Sequence, residues 1–152
     1  MSMFMFVAAL APGLAASGFT RAMPALRTVT LMATDAMTFS PSTFVVKPGE
    51  SIRVVLRAMG SQPADRMSHN FLLLKPKVDI PTFIMTASMA RDEGYLPKAL
   101  KSDVIAATDL IAAGESTSVT FAAPVRPGEY PYVCSFPGHY NAGMRGTMIV
   151  RR

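Results

Sequence analysis

The segment Cys134-Ser-Phe-Pro-Gly-His139-Tyr-Asn-Ala-Gly-Met144 places the only cysteine of the chain, one of its two histidines and a methionine within eleven residues. The other histidine, His69, stands far upstream in Ser68-His69-Asn70-Phe71. A thiolate, two imidazoles and a thioether form the donor set of a trigonal His2Cys copper site with a weak axial Met. Soft donors suit Cu(I) and imidazole nitrogens suit Cu(II), so a fixed set of this kind accommodates both oxidation states. Little then has to move when an electron arrives. The chemistry these residues point to is one-electron transfer on a single copper ion at His69, Cys134, His139 and Met144.

Taken singly, each residue has a plainer reading. A lone Cys is often an inert buried thiol. His69 reads equally as a satisfied core residue, and His139 as a surface loop histidine. Met144 is the weakest sign, because the chain holds 12 methionines in 152 residues. The combination carries the weight: both histidines and the only cysteine are used. Pro137 and Gly138 lie between two of the ligands and permit the chain to turn His139 back towards the sulfur.

These side chains need a frame, and the surrounding sequence reads as strands. Arg27–Met32 alternates Thr28 and Thr30 against Val29 and Leu31. Phe44–Lys47 and Ser51–Arg57 flank Pro48-Gly49, which fits the centre of a type II turn, so the three together read as a hairpin. His69–Leu74 is a strand that begins on the histidine and stops at Pro76. Val104–Ala107, Ser116–Phe121, Tyr130–Cys134 and Gly146–Val150 follow, with turns at Gly114-Glu115 and Pro127-Gly128. Pro131 lacks an N–H, which places its strand at an edge or bulge there. Residues 79–94 break the pattern: Ile80, Phe83, Ile84 and Ala87 fall at helical spacing, with Asp79 as cap and Gly94 as stop. Residues 77–102 thus read as an insertion packing a short helix on the strands. The expected fold is all-β, an antiparallel Greek-key sandwich of about seven or eight strands.

A length of 152 residues suits one domain with a proper core. Half the residues are hydrophobic, 16% are charged and the net charge is +5. The basic residues are scattered without aromatic interleaving, which argues against nucleic acid. They serve as ordinary solubility charge more readily than as the face for an anionic partner. Residues 1–22 read as a signal peptide or leader, an apolar run followed by small residues, with cleavage after Gly18 or Ala22. That run is too short to span a bilayer, and no other segment approaches transmembrane length. The expected mature domain is therefore 23–152, periplasmic or otherwise exported, and not an integral membrane protein. A single cysteine forms no internal disulfide, and metal ligation is one reason for a lone thiol to persist outside the cell.

Cys134–Gly146 resembles the C-terminal copper loop of the azurin and auracyanin group of cupredoxins, the small blue copper proteins. Ser68-His69-Asn70 resembles their upstream His-Asn element. Tyr95-Leu96, Val104-Ile105-Ala106, Gly114-Glu115 and Ser118-Val119-Thr120-Phe121 resemble the stretch that leads to that loop. The helix-bearing insertion is also more similar to azurin than to plastocyanin. The resemblance covers most of the mature chain and implies ligand roles for His69, Cys134, His139 and Met144. It implies that Asn70 ties the two ligand loops together with Ser135, and that the Asn70 and Phe136 N–H groups donate to the Cys134 sulfur. Plain strand and turn bonding is the alternative for these groups. Three departures stand out. Four residues separate His139 from Met144, one more than in azurin, as in auracyanin and plastocyanin. Ser68 occupies the place of the azurin glycine whose carbonyl makes a distant axial contact, and the azurin disulfide pair is absent.

The function implied is that of a type 1 copper electron carrier in a respiratory or related chain, not an enzyme. His139 is expected to present one ring edge near the surface, inside an apolar patch of Met67, Phe136, Pro137 and Met37. Redox proteins such as cytochromes or copper and haem oxidoreductases would dock there, on a monomer. The alternative is an exported copper-binding or copper-delivery protein without electron-transfer duty. A thiol enzyme built on Cys134 lacks an orienting third group at recognisable spacing.

Overall fold

A computed structural model describes residues 25–152, so the leader read at residues 1–22 lies outside the described residues. Strand β1 (Arg27–Thr34) buries Val29, Leu31 and Ala33 and turns the intervening residues outward, as its alternation predicts. After β2 (Thr38–Ser40) and β3 (Thr43–Val46), β4 (Ser51–Met59) buries Ile52, Val54, Leu56 and Ala58. Further on come β5 (Ser68–His69), β6 (Leu72–Leu74), helix α1 (Ile80–Ser88), β7 (Val104–Ala107) and β8 (Ile111–Ala112). The chain closes with β9 (Ser116–Ala122), β10 (Gly128–Val133), helix α2 (His139–Ala142) and β11 (Arg145–Val150).

The strands build the expected Greek-key sandwich, with eleven short strands where seven or eight were expected. One sheet runs β2-β1-β4-β9, the other β3-β11-β10-β6-β7, and β5 pairs with β8 as a small third sheet. The main core lies between the large sheets, where Leu31, Ile52 and Leu56 meet Phe44, Tyr132 and Met148. Tyr132 fills its centre, its hydroxyl donating to the Pro41 carbonyl at 2.9 Å. Gly146 stands opposite Tyr132 in the β10–β11 register, and a side chain there would collide with the Tyr132 ring.

Two pairings differ from the sequence expectation. β3 and β4 are not a hairpin. The Pro48-Gly49 turn forms, with the Glu50 N–H on the Lys47 carbonyl at 3.1 Å and Gly49 at φ 70°, but its two arms go to different sheets. β3 runs parallel to β11 and β4 parallel to β1, so the sandwich is mixed and not purely antiparallel. A turn dictates a local reversal of the chain; which partner each arm pairs with depends on the side-chain face each sheet must bury. Pro127-Gly128 likewise leads directly into β10, the bend falling at Val125–Arg126. Pro131 keeps its expected place, because β6 pairs only with Tyr132 and Val133 and leaves that flank of β10 open beside it.

The insertion packs as expected. α1 buries Phe83, Ile84 and Ala87 against Leu72, Leu74 and Val133 on the outer face of the second sheet. Burial of Phe83 and of Ile84 contributes about 1.5–3 kcal/mol each. β6 is consequently covered on both faces, and all three of its leucines are buried. The helix ends at Ser88, short of Gly94; that glycine, at φ 63°, closes a separate 3-10 turn over Arg91–Glu93. Later in the insertion a second 3-10 turn spans Lys98–Asp103.

Candidate metal centre

His69 ends the two-residue strand β5, held opposite Ile111 of β8. Cys134 directly follows the last residue of β10, and its N–H donates to the Met144 carbonyl at 3.2 Å, closing the base of the loop. Inside that loop the turn at Pro137-Gly138 passes into α2, a single helical turn not anticipated from sequence. Left-handed glycines bound it, Gly138 at φ 83° and Gly143 at φ 111°, where any other residue would be strained. The Met144 N–H donates to the His139 carbonyl at 2.9 Å, which sets the methionine one turn beyond the imidazole.

The donor atoms of His69, Cys134 and His139 lie within 4.8 Å of one another, and all three residues are buried. The Cys134 Sγ is 3.5 Å from His139 Nδ1, and the two imidazole rings stand 5.0 Å apart at 43°. Met144 is fully buried in the same core cluster as Cys134. His69 Nδ1 is sealed from solvent without a hydrogen-bond partner. An orphaned buried nitrogen costs about 1–3 kcal/mol, and a metal ion held between it and the thiolate would satisfy it. The residues present therefore fit a copper ion. A surface cleft of about 520 Å³ lies alongside, lined by Asp65, Arg91, Tyr95, Glu115 and Phe136 among others, and none of the four candidate ligands opens into it.

Hydrogen bonds lock the two ligand segments together. The Asn70 side-chain amide donates to Ser135 Oγ at 2.9 Å, and the Ser135 N–H donates back to Asn70 Oδ1 at 2.9 Å. The Ser135 hydroxyl in turn donates to the Tyr95 carbonyl at 2.7 Å. Tyr95 thus joins the insertion to the copper loop, and its ring meets Phe136 edge-on at 5.2 Å. Its backbone sits at φ 60°, an unusual conformation for an aromatic residue. No sequence signal marks that role. The Asn70 and Phe136 backbone N–H groups, the two the resemblance implied, lie close enough to the Cys134 sulfur to favour its thiolate.

Burial pushes the Cys134 thiol up to about 11, against the pull of those two N–H groups. Burial also lowers both histidines, His139 to about 4 with help from neighbouring His69. At pH 7 the ligand set by itself is a neutral thiol and two neutral imidazoles. Ligation requires the thiolate, so copper uptake at that pH is expected to release about one proton per ion. Calorimetry in buffers of different ionisation enthalpy measures this number. A value near zero would remove the thiol from the ligand set, and a value near two or three would mean that the histidines start out charged.

His139 departs from expectation in its exposure. Only 2% of it is accessible, because the ring is tilted against Phe136 at 4.7 Å and packs beside His69. Of the apolar patch expected around it, Phe136 is buried, Met37 and Met67 are half-buried, and Pro137 is exposed. Pro137 and Gly138 are the exposed residues of the loop just before His139.

Residues 27–151 match the family of copper binding proteins, plastocyanin/azurin family, and the chain belongs to it. One copper ion is accordingly its cofactor. Among individual relatives, the chain is 34% identical over 144 residues to auracyanin-B of Chloroflexus aurantiacus, a match covering 94% of this chain and 59% of auracyanin-B. It thus spans less than two thirds of that relative's length. Azurin of Achromobacter denitrificans is 41% identical over 124 residues, covering 78% of this chain and 80% of the azurin. The copper-resistant cuproprotein CopI of Rubrivivax gelatinosus is 31% identical over 130 residues, covering 86% of this chain and 70% of CopI. A solved structure of auracyanin B superposes with a TM-score of 0.73 at 32% identity, over 86% of this chain and 91% of that one.

Proposed function

We propose that this protein is a type 1 copper electron carrier whose ligands are His69, Cys134, His139 and Met144. The observation that supports this most directly is the convergence of one thiol sulfur and two imidazoles within 4.8 Å in a buried setting. When bound, copper supplies a one-electron couple between Cu(II) and Cu(I). The chain supplies the rest. The Asn70–Ser135–Tyr95 bonds hold the ligand loops in one arrangement for both oxidation states. Phe136 and the packed core keep water out, and N–H groups on the sulfur moderate its charge.

His139 is buried directly after exposed Pro137 and Gly138. We take this end of the molecule as the docking face for redox proteins, a cytochrome or a copper or haem oxidoreductase of a respiratory or related chain, approached by a monomer. Residues 1–22 act as an export leader in this reading and residues 23–152 as the mature domain, working in the periplasm or beyond it. Among the described residues no helix is long and apolar enough to cross a membrane.

The similarity to CopI gives some weight to a second reading, copper binding for tolerance without electron transfer. Absorption spectroscopy separates the two. An electron carrier shows an intense visible thiolate-to-copper band that bleaches on reduction and returns on oxidation with the copper retained. Copper lost on reduction, or no band at all, would rule the carrier out. Met144→Leu tests the fourth ligand: the colour should persist and the potential should rise, readily measurable when about 59 mV is a tenfold change in a one-electron equilibrium. An unchanged potential would take Met144 out of the coordination sphere.

A further inference from the structure

Asp35 lies outside the ligand set, in the turn between β1 and β2, yet its carboxylate is held with unusual care. Oδ2 accepts the Ser61 N–H at 2.9 Å. Oδ1 is sealed from solvent and has no hydrogen-bond partner. The carboxylate lies so close to Gly60 that a Cβ on that residue would overlap it. Glycine is required there for the close approach, and no positive φ demands it. The single ion pair found among the described residues joins Arg27 to Glu50, so no cation neutralises Asp35. A desolvated, unpaired carboxylate oxygen is costly to keep.

Its position in the fold gives this charge something to act on. Thr34, at the end of β1, stands opposite Met59 at the end of β4, and Gly60 and Ser61 follow directly. Ala58 exchanges backbone hydrogen bonds with Gly114 and Glu115, in the turn that follows β8, and β8 pairs with His69. Asp35 therefore sits at the end of the sandwich that carries the ligands.

We propose that Asp35 is a positioning and potential-setting residue of the copper centre: Gly60 and Ser61 fix its carboxylate, and the fixed negative charge favours the oxidised site. Losing an electron raises the charge of the centre by one, so an anion held nearby stabilises the oxidised form. The proposal rests on the copper-carrier reading of the site.

Asp35→Asn is the decisive variant, because the amide has the same shape and its oxygen still accepts the Ser61 N–H. The expected result is a one-electron equilibrium shifted towards the reduced form by about three- to tenfold, equivalent to about 30–60 mV, with the visible band unchanged. Gly60→Ala, which expels the carboxylate without changing the net charge, should move the potential the same way and add little in the Asp35→Asn background. Amide exchange at Ser61 in the copper-free protein should stay slow in Asp35→Asn and become fast in Asp35→Ala and Gly60→Ala. An unchanged potential in Asp35→Asn, beside a reversible wild-type couple, would overturn the proposal and leave the carrier reading intact. A wild-type protein without a reversible couple would overturn both, and the Ser61 exchange would then report only a structural bond.

Discussion

Cys134→Ala is expected to abolish the visible band of the copper-loaded protein while the sandwich still folds. The band requires a thiolate on copper, and the chain holds a single cysteine. No substitute lies within reach: the only cluster of His, Cys, Asp or Glu side chains suited to a metal among the described residues is His69, Cys134 and His139. The two imidazoles remain in the variant, so Cu(II) should still bind as a weaker, pale nitrogen-ligated site. The cost to the fold is small, since one buried sulfur is lost and the backbone bond from the Cys134 N–H to Met144 is kept. That loss is about 1 kcal/mol, a modest shift of the urea midpoint of the copper-free protein. A band that survived in Cys134→Ala would show that the colour arises elsewhere.

Asn70→Leu is expected to destabilise the copper-free protein by about 3 kcal/mol. Leucine has similar volume but cannot take part in the exchange with Ser135, in which one amide donates to a hydroxyl and accepts an N–H. The Ser135 N–H would be left buried without a partner, and Ser135 is itself fully buried. Ser135→Ala should cost less, because it keeps the backbone N–H bond to Asn70 and loses only the bonds of the hydroxyl, to the Asn70 amide and to the Tyr95 carbonyl. A double-mutant cycle in urea unfolding should return a coupling of at least about 0.5 kcal/mol between the two positions. Additive effects would mean that the two loops are held by packing and that the hydrogen-bond lock contributes nothing of its own. In the copper-loaded protein the same variant should also shift the potential, because the Asn70 N–H that faces the sulfur would move.

These expectations draw unequally on sequence and on structure. The alternation of Val29, Leu31 and Ala33, or of Ile52, Val54 and Leu56, is written in residue type and survives unchanged in β1 and β4. The helix on the insertion was also legible, because Phe83, Ile84 and Ala87 repeat at helical spacing and pack as one face. The β3–β4 hairpin was misread, because the Pro48-Gly49 turn speaks only for its own four residues. The extent of α1 was misread for a similar reason: Gly94 is a genuine stop, but for a different turn.

By itself the amino-acid sequence determined the chemistry of this protein. Donor identity belongs to the side chain, and the short spacing from Cys134 to Met144 limits how those donors can be arranged. Only the tertiary structure decided that His69 meets them, that Tyr95 reaches into the copper loop, that His139 is covered, and that Asp35 lies at the same end. Each of these depends on which strands lie side by side and on what they exclude from water. Lateral pairing and desolvation are sums over residues distant in the chain, and no local pattern contains them.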